Sequence, residues 1–300
     1  MGISLIFLVT IMWSLVGILV KTAYTMVDSF TITFGRFFFG VLFLAALLLI
    51  KDRKIKLHWK SRWIWIGALG KSANYIFENL GISLGYAYGN IMVTPIISIF
   101  SLLVSALYFK ERISRKGWLA VIFCVLGIML VIWNGLPLSE ILDTNLFTTL
   151  LFVLSGIGAG FHFLSQKVLI DSMDSGSMNF SVFLLASLFT AAPLPAAFKI
   201  QGPFNLWASL SLILLGFITG ITFYIYANAL RRVPFVIATI LGNASVLFTL
   251  LWSWLFLQEP ITSYIITGVC IFLLGVILLN IPDEILFKRN RILKDKNLEK

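Results

Sequence analysis

Apolar residues run along this chain in stretches of about twenty, broken by short segments rich in Gly, Pro, Asn, Asp or clustered charge. A hydrocarbon core about 30 Å thick takes roughly 20 mostly apolar residues per helix. Runs of that kind lie near residues 3–22, 30–50, 63–84, 87–109 and 117–134, and again near 147–168, 179–198, 206–230, 234–257 and 263–281. Pro193 and Pro195 fall in the last turns of the seventh run. The pattern predicts an all-α integral membrane protein with ten transmembrane helices.

Composition agrees. The 300 residues are 59% hydrophobic and 12% charged, where a soluble domain carries about 25% charged side chains. With half that, a water-facing surface could not be covered. A net charge of +10 raises the question of nucleic acid. The basic residues crowd into short segments between apolar runs instead of forming one basic face, so no nucleic-acid partner is expected. Nineteen of the 23 Lys and Arg fall on the side that holds the N-terminus, against Lys21 and Lys199 on the other; Arg36 and Lys71 lie within spans. Lys and Arg concentrate in cytoplasmic loops, so both termini are predicted inside. The first run has no basic segment before it and meets its first Lys at Lys21, which reads as a retained helix. Cys124 and Cys270 sit in apolar stretches without metal spacing, and neither a metal nor a cofactor is expected.

The two halves repeat. Phe109-Lys110-Glu111-Arg112-Ile113-Ser114 resembles Leu257-Gln258-Glu259-Pro260-Ile261-Thr262, and Gly127 matches Gly275 at the same separation of 148. Lys21, Asp28 and Ser29 recur 146 residues on as Lys167, Asp174 and Ser175. Tyr75-Ile76-Phe77 with Asn79 recurs as Tyr224-Ile225-Tyr226 with Asn228. Five spans is an odd number, so the second copy enters from the opposite side and the repeats are inverted. Secondary transporters share that architecture and place substrate near the midplane where the repeats meet. The expected organisation is a first five-helix repeat over 1–134, an external linker over 135–146, a second repeat over 147–282 and a basic cytoplasmic tail over 283–300.

The sequence resembles the drug/metabolite transporter superfamily in its ten-helix EamA-type branch. Trp13 followed by Lys21 is similar to that family's opening pattern, and Gly35-Arg36-Phe37 to its Arg-Phe motif. Val93-Thr94-Pro95 leading to Lys110-Glu111-Arg112 looks like its fourth-span proline and terminal Glu-Arg. The ninth span departs from the pattern, with Gly242-Asn243 where a proline is usual. The resemblance implies a monomeric or loosely dimeric carrier whose central cavity alternates between two faces. Members export amino acids and other metabolites, and some import nutrients.

Lys71, Asn74, Tyr75 and Glu78 fall at i, i+3, i+4 and i+7, one face of the third helix. A charge at that depth belongs against protein or water. These residues, with the adjacent Asn79, are expected to line a transport cavity, Glu78 meeting a cationic group or exchanging protons as coupling ion. The alternative is that Lys71 and Glu78 neutralise each other or other helices. Trp13, Tyr75, Tyr224 and Tyr226 are candidate aromatic walls. Asn228 repeats Asn79, and both either touch substrate or bond between helices. His162 lines the pore or packs. Pro95 removes a backbone hydrogen bond and frees a carbonyl, and Asn243 stands in its place in the ninth span. Arg36 pairs with a carboxylate, snorkels, or guards the outer vestibule; Glu111 and Glu259 at span ends suit capping or gating ion pairs.

Gly81-Ile82-Ser83-Leu84-Gly85 matches the hydrolase pattern GxSxG but ends an apolar helix, and the chain has two histidines, His58 and His162. No enzyme activity is expected. The reading is a multi-pass secondary transporter in a bacterial cytoplasmic membrane, moving an amino acid or related amphiphile outward. The alternative is uptake of a choline-like cation, nucleoside or vitamin, with lipid handling a third.

Overall fold

The computed structural model describes residues 2–108, 110, 114–136, 146–170, 172–230 and 241–280. Glu111, most of the expected linker, Arg231, Arg232 and the basic tail lie outside the described residues. The first half runs α1 (Gly2–Ser14), α2 (Val16–Tyr24), α3 (Ser29–Asp52), α4 (Arg62–Leu84), a 3₁₀ helix (Ala87–Met92), α5 (Val93–Leu107) and α6 (Arg115–Trp133). The second runs α7 (Leu146–Leu169), α8 (Ser175–Ala191), α9 (Leu194–Ala197) and α10 (Leu206–Phe217). A π-helical turn (Ile218–Thr222), α11 (Phe223–Leu230), α12 (Ser245–Leu257) and α13 (Ser263–Asn280) complete it. Six stretches are long and apolar enough to cross a membrane: Gly2–Tyr24, Ser29–Lys51, Ala87–Val104, Arg115–Trp133, Leu146–Leu169 and Leu206–Tyr226. Three further apolar helices are shorter. At 23 residues α4 has the length, but Arg62, Lys71 and Glu78 make it less apolar.

The repeated Asp-Ser pairs are helix caps. Asp28 accepts from the N–H groups of Phe30 at 2.9 Å and Thr31 at 3.1 Å, starting α3. Asp174 accepts from Ser177 N–H at 2.8 Å, starting α8. Such side chains satisfy N–H groups that have no partner within the helix. The seventh run stops at Ala191 instead of near 198, because Pro193 and Pro195 cannot continue α8 and instead open the short α9.

α6 and α13 show how the halves relate. Their backbones approach so closely that a Cβ on Gly127 would lie 2.6 Å from Gly268 O, and one on Gly275 2.8 Å from Ala120 O. Adding 148 to 127 gives 275, and adding 148 to 120 gives 268. The first contact therefore maps onto the second. Midway, Cys124 Sγ meets the Phe272 carbonyl at 3.9 Å, and these two positions are also 148 apart. A contact that maps onto itself marks a two-fold axis, here crossing an antiparallel helix pair. The copies are inverted.

α4 and α7 cross with equal intimacy. A Cβ on Gly158 would meet Gly70 O at 2.7 Å, and one on Gly70 would meet Gly158 O at 2.7 Å. Gly70 and Gly158 are thus packing positions. Gly158→Leu should lower the thermal midpoint by the equivalent of about 1–3 kcal/mol or more, the range for overpacking. Gly242→Ala, where nothing lies within 4 Å, should leave it unchanged or raised. Scanning fluorimetry of the two variants checks this, and equal midpoints would contradict it.

Candidate functional site

Four of the helical segments are interrupted. The first apolar segment breaks at Leu15, where Leu15 N–H reaches back only to Met12 O, and Thr249 Oγ1 donates to Ser14 O. The 3₁₀ helix gives way to α5 at Met92. The π-helical turn separates α10 from α11. Residues 241–243 are helical, and the chain turns at Ala244 before α12. Pro95 consequently lies in the first turn of α5, where its missing N–H leaves no helical bond unmade. The break expected from the proline falls just before it, and Asn243 lies beside the matching break.

α4 presents its polar row to α3, α7 and α11. Arg36 of α3 is 2% exposed and pairs with Glu78 Oε2 at 3.1 Å. The same nitrogen donates to Asn79 Oδ1 at 2.7 Å, and Asn79 Nδ2 donates to Thr33 Oγ1 at 2.8 Å. Lys71 Nζ donates to Asn74 Oδ1 at 2.9 Å, and Asn74 Nδ2 donates to Ser155 Oγ at 2.8 Å. Tyr75 is shared by both cations: the Arg36 guanidinium carbon stands 3.5 Å from its ring centroid and Lys71 Nζ 4.2 Å. Phe37 stacks on Tyr75 at 5.0 Å. All four members of the row and Asn79 are buried.

Trp13 lies at the α1–α2 break. Its Nε1–H donates to Thr222 Oγ1 in the π turn at 2.8 Å, and its ring meets Phe223 at 5.5 Å and Tyr226 at 5.1 Å. Phe223 joins this group to the charged row, 4.5 Å from Lys71 Nζ. His162 of α7 is fully buried against Phe183 and Phe223; it lies near the Gly67 carbonyl, but neither ring nitrogen makes a hydrogen bond of good geometry. Asn243 is buried with its Nδ2 unpartnered. Glu259 is also buried and caps the 3₁₀ helix, accepting from Ala87 N–H at 2.7 Å, with Lys21 within electrostatic range.

The repeated Tyr-Asn motif does different work in its two copies. Tyr75 and Asn79 belong to the buried network, whereas Tyr224 turns outward to accept from Lys51 Nζ, and Asn228 Nδ2 donates to Tyr224 O within its own helix. The cause is in the sequence: with an offset of 149, Lys71 becomes Gly220 and Glu78 becomes Ala227, so the second copy has no charges to hold. Sequence reasoning named Arg36 without placing it in the site, and missed Phe223, Thr222 and Ser155. Arg36 was findable. Glu78 is the one carboxylate well inside a predicted span, and both residues lie about 10 Å from the same end of their antiparallel helices.

Tyr224 and Asn228 help to line a cavity of about 360 Å³ with Lys51, Lys54, Lys56, Asp174, Ser175 and Ser177. It opens where the segment after α3 faces the start of α8. The inverted counterpart of this place is the other end of the bundle, where the turn before α3 faces the segment after α9. There the chain is sealed. Val27 and Ile200 form an antiparallel bridge, Gln201 N–H donates to Met26 O at 2.9 Å, and Lys199 N–H donates to Asp28 Oδ2 at 2.9 Å. By the offset of 146, Val27 answers to Met173, Asp28 to Asp174 and Ile200 to Lys54. Related positions are thus closed at one end and parted by a cavity at the other.

Two inverted copies with broken helices around buried charge, in a bundle of long apolar helices, define a membrane transporter. The profile of the EamA-like transporter family matches residues 1–133 and 146–281. The chain belongs to the EamA-like transporter family. It is similar to an uncharacterized transporter of Archaeoglobus fulgidus, with 27% identity over 242 residues, covering 78% of this chain and 82% of that one. Its fold also matches a protein of known crystal structure at a TM-score of 0.68 and 14% identity, covering 93% of this chain and 96% of the other.

Proposed function

We propose that the chain is a secondary transporter that carries a small organic metabolite by alternating access, exchanging the states of its two mouths. The observation that carries this reading is the pair of repeat-related mouths, one latched by Asp28, Lys199 and the Val27–Ile200 bridge, the other parted by the basic cavity. An inverted repeat makes the alternative arrangement available: each half adopts the packing now held by the other, so the open and closed ends swap. The six long apolar stretches, the three shorter apolar helices and α4 are the ten spans of this reading. The basic end faces the cytoplasm, following the concentration of Lys and Arg there. The mouth open in this conformation is then the one from which an exporter loads. The buried row of α4, with Trp13, His162 and the aromatic side chains of α11, is the substrate site, reached from either mouth in turn.

Cross-linking tests the proposal. Bridged antiparallel residues have Cα atoms about 4.5–5.5 Å apart, within disulfide range. Val27→Cys/Ile200→Cys, with Cys124 and Cys270 replaced by Ser, should therefore oxidise readily and hold that mouth shut. Met173→Cys/Lys54→Cys should cross-link only in molecules that have closed the basic mouth. In proteoliposomes loaded with a metabolite extract, each oxidised protein should lose substrate flux and each reduced protein should recover it. Flux that survives both cross-links would refute alternation at these mouths.

A further inference from the structure

The charges at the centre of the bundle do not balance. Among the described residues the one ion pair is Arg36–Glu78, made through Glu78 Oε2. Lys71 is 4% exposed, and its ammonium donates to the neutral Asn74 Oδ1, lies against the rings of Tyr75 and Phe223, and makes no ion pair of its own among the described residues. His162, fully buried on the same Phe223 ring, has no good hydrogen bond at either nitrogen, and Arg36 Nε has none either. Buried polar groups in native structures find partners, and an exception calls for an explanation. Here the incomplete groups are an ammonium without an ion pair of its own, a guanidinium N–H and an imidazole that has only the Gly67 carbonyl nearby. What would complete them is an anion.

The aromatic groups point the same way. A substrate ammonium would need a carboxylate or a vacant ring face. Glu78 is paired with Arg36, and the Tyr75 ring already stands beside two of the protein's own cations. A positive group brought here would meet net positive charge in an environment that screens it poorly. The neighbouring side chains are apolar: Trp13 packs on Phe223 and Tyr226, and Phe183 on Phe223, a cluster that suits an apolar body. Phe223 faces Lys71 while its neighbour Tyr224 lines the open mouth, so α11 carries the boundary between cavity and site in adjacent residues.

Resting on the transporter reading, we propose that the substrate is a small organic monoanion, a carboxylate on an apolar or aromatic body, held by Lys71 with His162 as second donor. One surplus positive charge matches one carboxylate. Choline-like cations and amines are disfavoured by the same surplus, and a zwitterion would bring its ammonium beside the protein's own Arg36 and Lys71.

The full-length protein in nanodiscs is titrated with a panel of monocarboxylates from butyrate through 3-phenylpropionate to indole-3-acetate, together with the amide and the amine matching each acid. Tryptophan fluorescence and the thermal midpoint are the readouts, since a ligand that binds only the folded state raises the midpoint. At least one acid should bind, with its amide and amine at least tenfold weaker. Lys71→Met should weaken that acid at least tenfold while leaving the empty protein as stable as wild type or more so, because it removes an uncompensated buried charge. Lys71→Arg should retain part of the binding. The ligand series on the wild type decides even if a variant fails to fold. Binding of an amine or amide as tight as its acid overturns the proposal, as does failure of every acid or undiminished binding by Lys71→Met. Flux of amines or amides without flux of acids would overturn it while leaving the transporter reading intact. Loss of that reading would appear instead as no flux of any solute from the extract.

Discussion

Arg36→Leu is expected to unfold at a sharply lower denaturant concentration, a loss of about 3–5 kcal/mol, while Arg36→Leu/Glu78→Leu should recover most of it. Removing one member of a buried pair strands the other as an uncompensated charge, whereas replacing both removes the desolvation cost together with the attraction. Arg36 and Glu78 are both buried, and their pair also positions Asn79, which accepts from Arg36 and donates to Thr33. The double variant will not reach wild type, because Asn79 Oδ1 keeps no donor in place of Arg36, a deficit of about 1–3 kcal/mol. Unfolding of both variants in the same detergent gives the comparison. A double variant as unstable as the sum of its singles would show that the two side chains are not coupled. Neither variant should transport, since the wall that holds Tyr75 is gone in both.

Asp28→Ala is the second change with a large expected effect, and Asp174→Ala is its built-in control. Both remove a helix cap, worth about 1 kcal/mol. Asp28 does more: its Oδ2 accepts from Thr31 Oγ1 at 2.7 Å and from Lys199 N–H at 2.9 Å across the sealed mouth. Its loss should cost about 2–3 kcal/mol, since hydrogen bonds to a charged group contribute more than neutral ones. It should also open that mouth, so a cysteine placed at Ser29, buried there in the closed state, gains reactivity toward a membrane-impermeant maleimide. Asp174→Ala should cost about 1 kcal/mol and leave that reactivity unchanged. Burial disfavours the Asp28 carboxylate, but the Thr31 hydroxyl and the N–H groups of Lys199, Thr31 and Phe30 outweigh it and hold its pKa below the ordinary carboxylate value. An acid with a depressed pKa contributes stability that is full above its unfolded value, about 3.9, and lost as pH falls through the folded one. The latch should therefore hold unchanged between pH 8 and 5 and release only in stronger acid. Release near neutral pH would rule out Asp28 as the group that holds it.

Much of this organisation is legible in the residues. Apolar run length gives the helices, and the separations of 146 to 149 between matched motifs give the duplication. Placing Lys71, Asn74, Tyr75 and Glu78 on one helical face needs only the period of the helix. The pairing of Arg36 with Glu78 was also within reach from charge and depth. Other features required the folded chain. The offset of 149 sets Gly220 and Ala227 against Lys71 and Glu78, but it cannot show that Tyr224 therefore turns to the mouth. Gly242-Asn243 marks the break at Ala244, whereas the break at Leu15 carries no proline to announce it. The latch between residues 26–28 and 199–201 is made by backbone groups and the carboxylate of Asp28, and backbone pairing across 170 residues has no side-chain signature.

The central claim is that the two mouths exchange states, and the most direct measurement reads one mouth while the other is locked. Spin labels at Lys54 and Ser172 report the basic mouth by double electron–electron resonance, and labels at Thr25 and Phe204 report the sealed one. With Val27→Cys/Ile200→Cys oxidised, the basic-mouth distances should collapse to the single long population of the cavity seen here. With Met173→Cys/Lys54→Cys oxidised, the Thr25–Phe204 distances should shift to a longer population absent from the first sample. Distances at either mouth that ignore the lock at the other, or two mouths that lengthen together, would contradict alternation between the repeats.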